Sequence, residues 1–458
     1  MKNVSDYISG RSNMKKVRKG FLVIFFSAFL LVAGCSSSSS NTGGEAGKDG
    51  DTIELSFMGH GNPDEKKIFQ SVIKSFEEKY PNVKVKYTSV PPAEYSQKLS
   101  TLIGSGKQPD VYYAAGPEFA RFVAADQLLN LQTYLDQTDI FNPDNVWEQA
   151  LDRYRYDGKS VGGGDLYGLP KDVGPWAMAY NKDLFDEAGV NYPPLEVGKW
   201  TWNDMLAAAQ KLTKDTNGDG KTDQYGIAGF PLETAVWGNG ADYIDYETGE
   251  VKIDSPEFIE AMQFVADLSR KHKVSPSKDD EKAQNNYTRF VSGGVAMFPM
   301  GPWDQPSFWE LPFGWDLAPW PASPNTGETA TWLGSMGFVI SKKTKHPEEA
   351  FALASYLSLD EDGQRQFMEL GQQVPNLKSL AENEFLNMDS APENRQEFIN
   401  IIEDYGKPNN GWRSPDVQWL DYFNQEAAKV WNGEMSVDDW VKEAKPKMEE
   451  LYKKGNLK

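Results

Sequence analysis

TIELSFMGHGNPDEKKIFQSVIKSFEEKYPNVKVKYTS, residues 52–89, decides the fold class. Thr52 to Met58 alternates apolar and polar side chains, the signature of a strand with one buried face. From Asp64 to Tyr80, Ile68, Phe69, Val72, Ile73 and Phe76 recur at helical spacing and form one apolar stripe. Pro81-Asn82 stops that helix, and Val83 to Ser89 starts a second strand. Ala93 to Ile103 then predicts a helix ended by Gly104-Ser105-Gly106, and Pro109 to Tyr113 a third strand. The order strand, helix, strand, helix, strand opens an α/β sheet.

The same grammar continues downstream. Thr201, with Asp204 three residues on, predicts a capped helix over Trp202 to Leu212. Ser255-Pro256 opens a helix to about Lys271, and further helices are predicted over Pro347 to Leu357 and Val437 to Tyr452, the last capped by Ser436 with Asp439. Ala177 to Tyr180, Val295 to Phe298 and Gly337 to Ser341 read as strands.

The chain has 458 residues, enough for two or three domains or one large two-lobed unit, and charged residues make up 25%, which marks a globular protein. Its start reads as a targeting segment. Met14 to Lys19 is basic, Phe21 to Ala33 is an apolar run too short to span a membrane, and Leu31-Val32-Ala33-Gly34-Cys35 resembles a bacterial lipoprotein signal. Residues 1–34 are therefore expected to be a signal peptide, with Cys35 lipidated; Met1 to Asn13 reads as an extension upstream of a start at Met14. Cys35 is the only cysteine, so no intrachain disulfide can form. Residues 35–50 read as a Ser/Gly tether, with folding starting near Asp51. The six bases and one acid of residues 1–34 contribute +5 to the net −20, leaving −25 for the remainder. So acidic a surface is a poor partner for nucleic acid or an anionic lipid face.

DTNGDGKTDQYG, Asp215 to Gly226, invites three readings. A phosphate loop needs Gly five positions before its Gly-Lys, and Asp215 stands there, so a nucleotide site is rejected. A calcium loop wants oxygens at positions 1, 3 and 5, Gly at 6, a carbonyl at 7 and oxygen at 9. Asp215, Asn217, Asp219, Gly220, Lys221 and Asp223 fit that order, while Gly226 replaces the expected Glu at 12 and Gln224 offers an amide oxygen nearby. The alternative is a metal-free polar turn.

Of 14 tryptophans, Trp176, Trp237, Trp303, Trp332 and Trp412 fall in Gly/Pro-rich loops at element ends, where open α/β sheets bind ligands. Trp202, Trp431 and Trp440 lie inside periodic helices, as core residues do.

These loops resemble the family 1 extracellular solute-binding proteins, the maltose-binding-protein-like receptors of ABC sugar importers. The resemblance rests on five stretches in order: Tyr95 to Leu99 with Gly104 to Val111; Tyr167 to Asp172 with Trp176 and Tyr180 to Phe185; Ser292 to Phe298 with Gly301-Pro302-Trp303; Leu333 to Ser341; and Lys345 to Ala350. It implies a periplasmic-binding-protein-like type II fold, two α/β lobes joined by hinge strands with a ligand cleft between them. The chain should cross between lobes near Lys171, Gly334 and Val374, giving a first lobe of 51–171 plus 335–373 and a second of 172–334 plus 374–458. The resemblance also makes the Asp-rich loop a structural calcium site. The implied protein is an extracytoplasmic, lipid-anchored monomer that passes an oligosaccharide to permease subunits and has no catalytic residues of its own.

A sugar offers apolar C–H faces for indoles and a rim of hydroxyls for polar groups. Trp176, Trp237, Trp303 and Trp332 are the expected stacking platforms, and Lys171, Asp172, Asn239, Asp304 and Arg413 the expected hydroxyl partners. His60 and Glu118 follow predicted strands and point toward the cleft; Tyr113 is a weaker candidate. Each has a plainer reading. His60 caps the helix near Pro63, Glu118 and Asp304 are solvated acids, Lys171 and Asp172 pair only with each other, and Trp412 stacks on Arg413. The rival functions are a secreted carbohydrate-active enzyme, for which a pair of carboxylates would suffice, and a surface polysaccharide adhesin. No local motif isolates such a pair, and His60, His272 and His346 lack metal-ligand spacing.

Overall fold

The computed structural model describes residues 52–414 and 416–456. The expected signal peptide, the lipidated Cys35 and the tether lie outside the described residues.

Strand β1 (Ile53–His60) pairs in parallel with β2 (Val83–Val90) and β3 (Val111–Ala114). The five-stranded sheet is completed by Gly337–Ile340, antiparallel to β3, and then Gly168–Pro170. Helix α1 (Pro63–Lys79) lays Ile68, Phe69, Val72, Ile73 and Phe76 into the core. Its start is fixed by a capping box, Asn62 accepting from the Asp64 and Glu65 amides while Glu65 accepts from the Asn62 amide. The helix cap is thus Asn62, not His60. Helices α2 (Pro92–Gly104) and α3 (Gly116–Ala124) follow β2 and β3. This is the first lobe.

The second lobe is built on a three-stranded antiparallel sheet, Met297–Met300, Ala177–Asn181 and Trp315–Ala318. Around it run Trp202–Leu212, with its Thr201/Asp204 box, Pro256–Arg270, Gln418–Trp431 and Val437–Asn456. The strand expected from Val295 begins two residues later, at Met297. Val295 is bridged instead to Tyr225, so the ladder to Ala177–Asn181 takes up only the following residues. Trp202 stacks on Phe264 at 4.5 Å and Trp440 meets Phe423 edge-on at 5.1 Å, both as core residues.

Three segments meet where Gly168–Pro170 and Gly337–Ile340 join the rest of the chain. The Lys171 amide donates to Met336 O (2.9 Å), the Gly334 amide to Gly174 O (3.0 Å), and Asn376 Nδ2 to Pro170 O (2.9 Å). Gly174 adopts a φ of 64°, and a Cβ there would collide with Gly334 O, so two backbones cross in direct contact.

Candidate functional site

Trp176, Trp303 and Trp332 form one row. Trp176 lies 4.7 Å from Trp332 with 19° between planes, and 5.9 Å from Trp303 with 27°. All three are half-buried. Each is held by its backbone surroundings. Trp332 sits on the strand Thr331–Leu333, paired in parallel with Gly406–Pro408. The Trp176 carbonyl accepts from Trp320 Nε1 and Thr331 Oγ1, both at 2.9 Å. Trp303 lies in the short turn Pro302–Asp304, closed by the Gly301 amide donating to Asp304 Oδ2 (3.0 Å). Trp176 is the ring common to both stacks, so the three form one aromatic group rather than three separate platforms.

Where the row ends, charge gathers. Lys171 Nζ stands 5.8 Å over the Trp303 ring, 2.9 Å from Asp172 Oδ2 and 3.7 Å from Glu65 Oε1. Lys171 and Asp172 therefore pair as the plainer reading has it, but Glu65 of the first lobe joins them. Burial pulls the ammonium's pKa down, while Asp172 and Glu65 outweigh it, so Lys171 remains protonated. Asp304 is buried, which raises its carboxyl to about 7 against the Gly301 N–H, with Glu65 adding to the rise. It is not a solvated surface acid. The His60 ring packs edge-on against Tyr95 (5.0 Å) and Tyr113 (5.4 Å), and burial, then Lys171, lowers its pKa to about 4, so it is neutral at pH 7. Tyr113 itself is wholly buried among Phe57, Phe69 and Phe338. Glu118, half-buried in the first turn of α3, faces Arg121 at 4.0 Å.

The remaining candidates form a second group. Trp237 is 3% exposed in the helix Leu232–Gly238, its Nε1–H donating to Asp242 Oδ1 (3.1 Å), and stacks on none of the other three indoles. Arg413 is bound to Asp242 Oδ2 (2.6 Å) and lies 3.9 Å over Tyr246. The two groups touch through Lys407, opposite Trp332 in the strand register and 6.0 Å over Trp237. The structure gives Asn239 a different task. It is 1% exposed, donates to Glu257 O and Glu260 Oε2, and accepts from Ser323 and Asn325, so its amide is fully engaged in tying the second lobe together. The stack expected between Trp412 and Arg413 has other partners: Arg153 covers Trp412 at 4.9 Å.

Sequence reading missed Glu65, which bonds Asn62, Gln372 and Lys171 at once. The signal was present, since Asn62 with Glu65 is a capping-box spacing; nothing local showed that the same carboxylate would reach the hinge.

In the Asp-rich loop, Asp215 accepts from the Gly218 and Gly220 amides, Asn217 from Asp219, and Asp219 from Lys221. Asp223 accepts from Thr216 and Asn217. These bonds aim the loop's oxygens, and the Gly220 amide heads the causes that hold the Asp215 carboxyl below its ordinary value. Asp215, Asn217 and Asp219 stand at the alternate positions of a calcium-loop sequence. Gln224 departs from that role: it is buried, and its Nε2 donates inward to Leu212 O (2.6 Å). Among the described residues, no three His, Cys, Asp or Glu side chains converge as metal ligands.

The two-lobed α/β fold is that of the type II solute-binding class. The sequence profile of the bacterial extracellular solute-binding protein family matches residues 61–364, and the chain belongs to that family. It is 27% identical over 372 residues to the arabinooligosaccharide-binding protein of Bacillus subtilis, covering 77% of this chain and 78% of that one. The maltodextrin-binding protein MdxE of Bacillus subtilis is 26% identical over 357 residues, covering 76% and 78%. An ABC substrate-binding protein of Listeria monocytogenes, solved in complex with cycloalternan, superposes with a TM-score of 0.76 at 26% identity, covering 87% of this chain and 99% of that one.

Proposed function

We propose that this protein captures an oligosaccharide outside the cytoplasm and delivers it to the permease of an ABC importer. The carrying observation is the half-buried Trp303–Trp176–Trp332 row running into the Glu65–Lys171–Asp172 cluster. An aromatic wall takes the apolar faces of a sugar chain without disturbing its hydroxyls. The charged end offers donors and acceptors to the rim, each such bond netting about 0.5–3 kcal/mol, so several act together. The lobes are residues 51–171 plus 335–373 and 172–334 plus 374–458. A sugar touching both is bound more tightly in the closed form and shifts the population toward it.

The relatives' names direct the choice of ligands: arabino-oligosaccharides and maltodextrins first, then cyclic glucans. Titration of intrinsic tryptophan fluorescence against that panel is the test. A saturable change with at least one class is expected; no response to any of them removes the sugar-receptor reading. The same mixtures, analysed for chain length after incubation, should contain no shortened products, because the protein is a receptor and not an enzyme. The reading also includes a monomer anchored through a lipid on Cys35 and calcium held by Asp215, Asn217, Asp219, the Lys221 carbonyl and Asp223.

A further inference from the structure

We propose that Trp412 couples the two lobes and holds them at the angle that is ready to take up sugar, a deepening of the sugar-capture reading that rests on it wherever affinity is the readout. Trp412 ends the turn Asn410–Trp412, between the strand Gly406–Pro408 and the helix Gln418–Trp431, and so belongs to the second lobe. Its indole nevertheless packs on the first. Gly116, at the head of α3 with a φ of 51°, leaves open the volume that the ring fills, and a Cβ there would fall on Trp412 Cδ1. At the crossing segment, a Cβ on Gly334 would lie 2.8 Å from Trp412 Cη2 and 3.3 Å from Trp332 Cε3. Both indoles thus lie against the Gly334 backbone. Arg153 of the first lobe covers the ring at 4.9 Å, and its Nη2 donates to Val173 O (2.8 Å), beside Asp172. Gln149 Nε2 donates to Ile402 O (3.1 Å), a second bridge between the same two stretches of chain.

A flat, rigid ring seated against two bare glycine backbones tolerates little sliding. Changing the lobe angle must move or unseat it, so the seat stabilises one angle over others. By pre-ordering the lobes, Trp412 raises the fraction of free protein ready to bind, and apparent affinity scales with that fraction. In the sequence the ring is one loop tryptophan among several; only the two glycines it rests on mark its role.

The test compares Trp412→Ala, Trp412→Phe and Gly116→Ala with the wild type, by small-angle scattering of the ligand-free proteins and by calorimetric titration with the sugar that the wild type binds. Trp412→Ala should enlarge the free protein's radius of gyration and weaken binding about fivefold, as a fivefold drop in the competent fraction would. Trp412→Phe should fall between, and Gly116→Ala, which unseats the ring while keeping it, should reproduce Trp412→Ala. Unchanged dimensions and affinity in the variants that fold would reduce Trp412 to a packing residue. Tighter binding would show that the ring holds the lobes apart, and would also overturn the proposal. If the wild type bound no sugar, the receptor reading would fail, and the scattering comparison would still decide this one.

Discussion

The molecule holds two aromatic assemblies of opposite construction. In the first lobe, Phe57 meets Tyr113 at 67° and Phe338 at 61°, and Phe69 at 51°, with each ring at most 1% exposed. In the second assembly, Trp176 lies within 27° of parallel to both Trp303 and Trp332, and all three rings remain half-buried. The tilted rings around Phe57, together with the Tyr87 ring stacked on it at 25°, fill the volume and leave no face free. Parallel rings make a slab with outer faces and an edge. Parallel stacking also occurs in the core, where the buried Phe290 and Phe298 lie 20° from parallel, so exposure rather than ring angle separates recognition from stability.

That contrast can be broken by truncation. Phe57→Ala should cost about 3–5 kcal/mol of stability, seen as an early thermal transition, because its cavity lies in a packed core. A loss under 1 kcal/mol would mean that the first-lobe cluster is not the core it looks to be. Trp303→Ala should reverse the pattern, with a small stability change and sugar binding at least about tenfold weaker by calorimetry, or about 1.4 kcal/mol. Unchanged affinity would take Trp303 out of the site.

A smaller effect comes from Asp304, between the row and the charged cluster. Its folded pKa, about 7, lies above the ordinary carboxyl value of 3.8. Folding therefore favours the protonated form. The stability this group contributes is complete below pH 3.8 and is lost as the pH rises through 7. Asp304→Asn lacks that dependence, so denaturation curves should show it gaining steadily on the wild type between pH 4 and pH 7. A difference that stays constant with pH would place Asp304 in water. The smallest effect belongs to the Asp-rich loop, remote from both assemblies. Calcium should raise the melting temperature by a degree or two through mass action, and Asp215→Ala with Asp219→Ala should abolish the rise. No rise in the wild type would leave the loop a polar turn.

Local chemistry was legible in the sequence. The apolar stripe from Ile68 to Phe76, the box at Thr201 and the Ser436 cap fixed helices to within a few residues, because spacing and capping act over one or two turns. Trp176, Trp303 and Trp332 were also set apart in the sequence, because their Gly/Pro-rich surroundings fit no periodic core position. Only the tertiary structure decided which loop indoles converge. It put Trp237 in a separate group with Asp242, engaged Asn239 inside the second lobe, turned Gln224 toward Leu212, and brought Glu65 to Lys171 across more than a hundred residues of chain. The physical reason is range: a helix or a cap is settled by neighbours in sequence, whereas a cleft is settled by which distant backbones pass close enough for their side chains to meet.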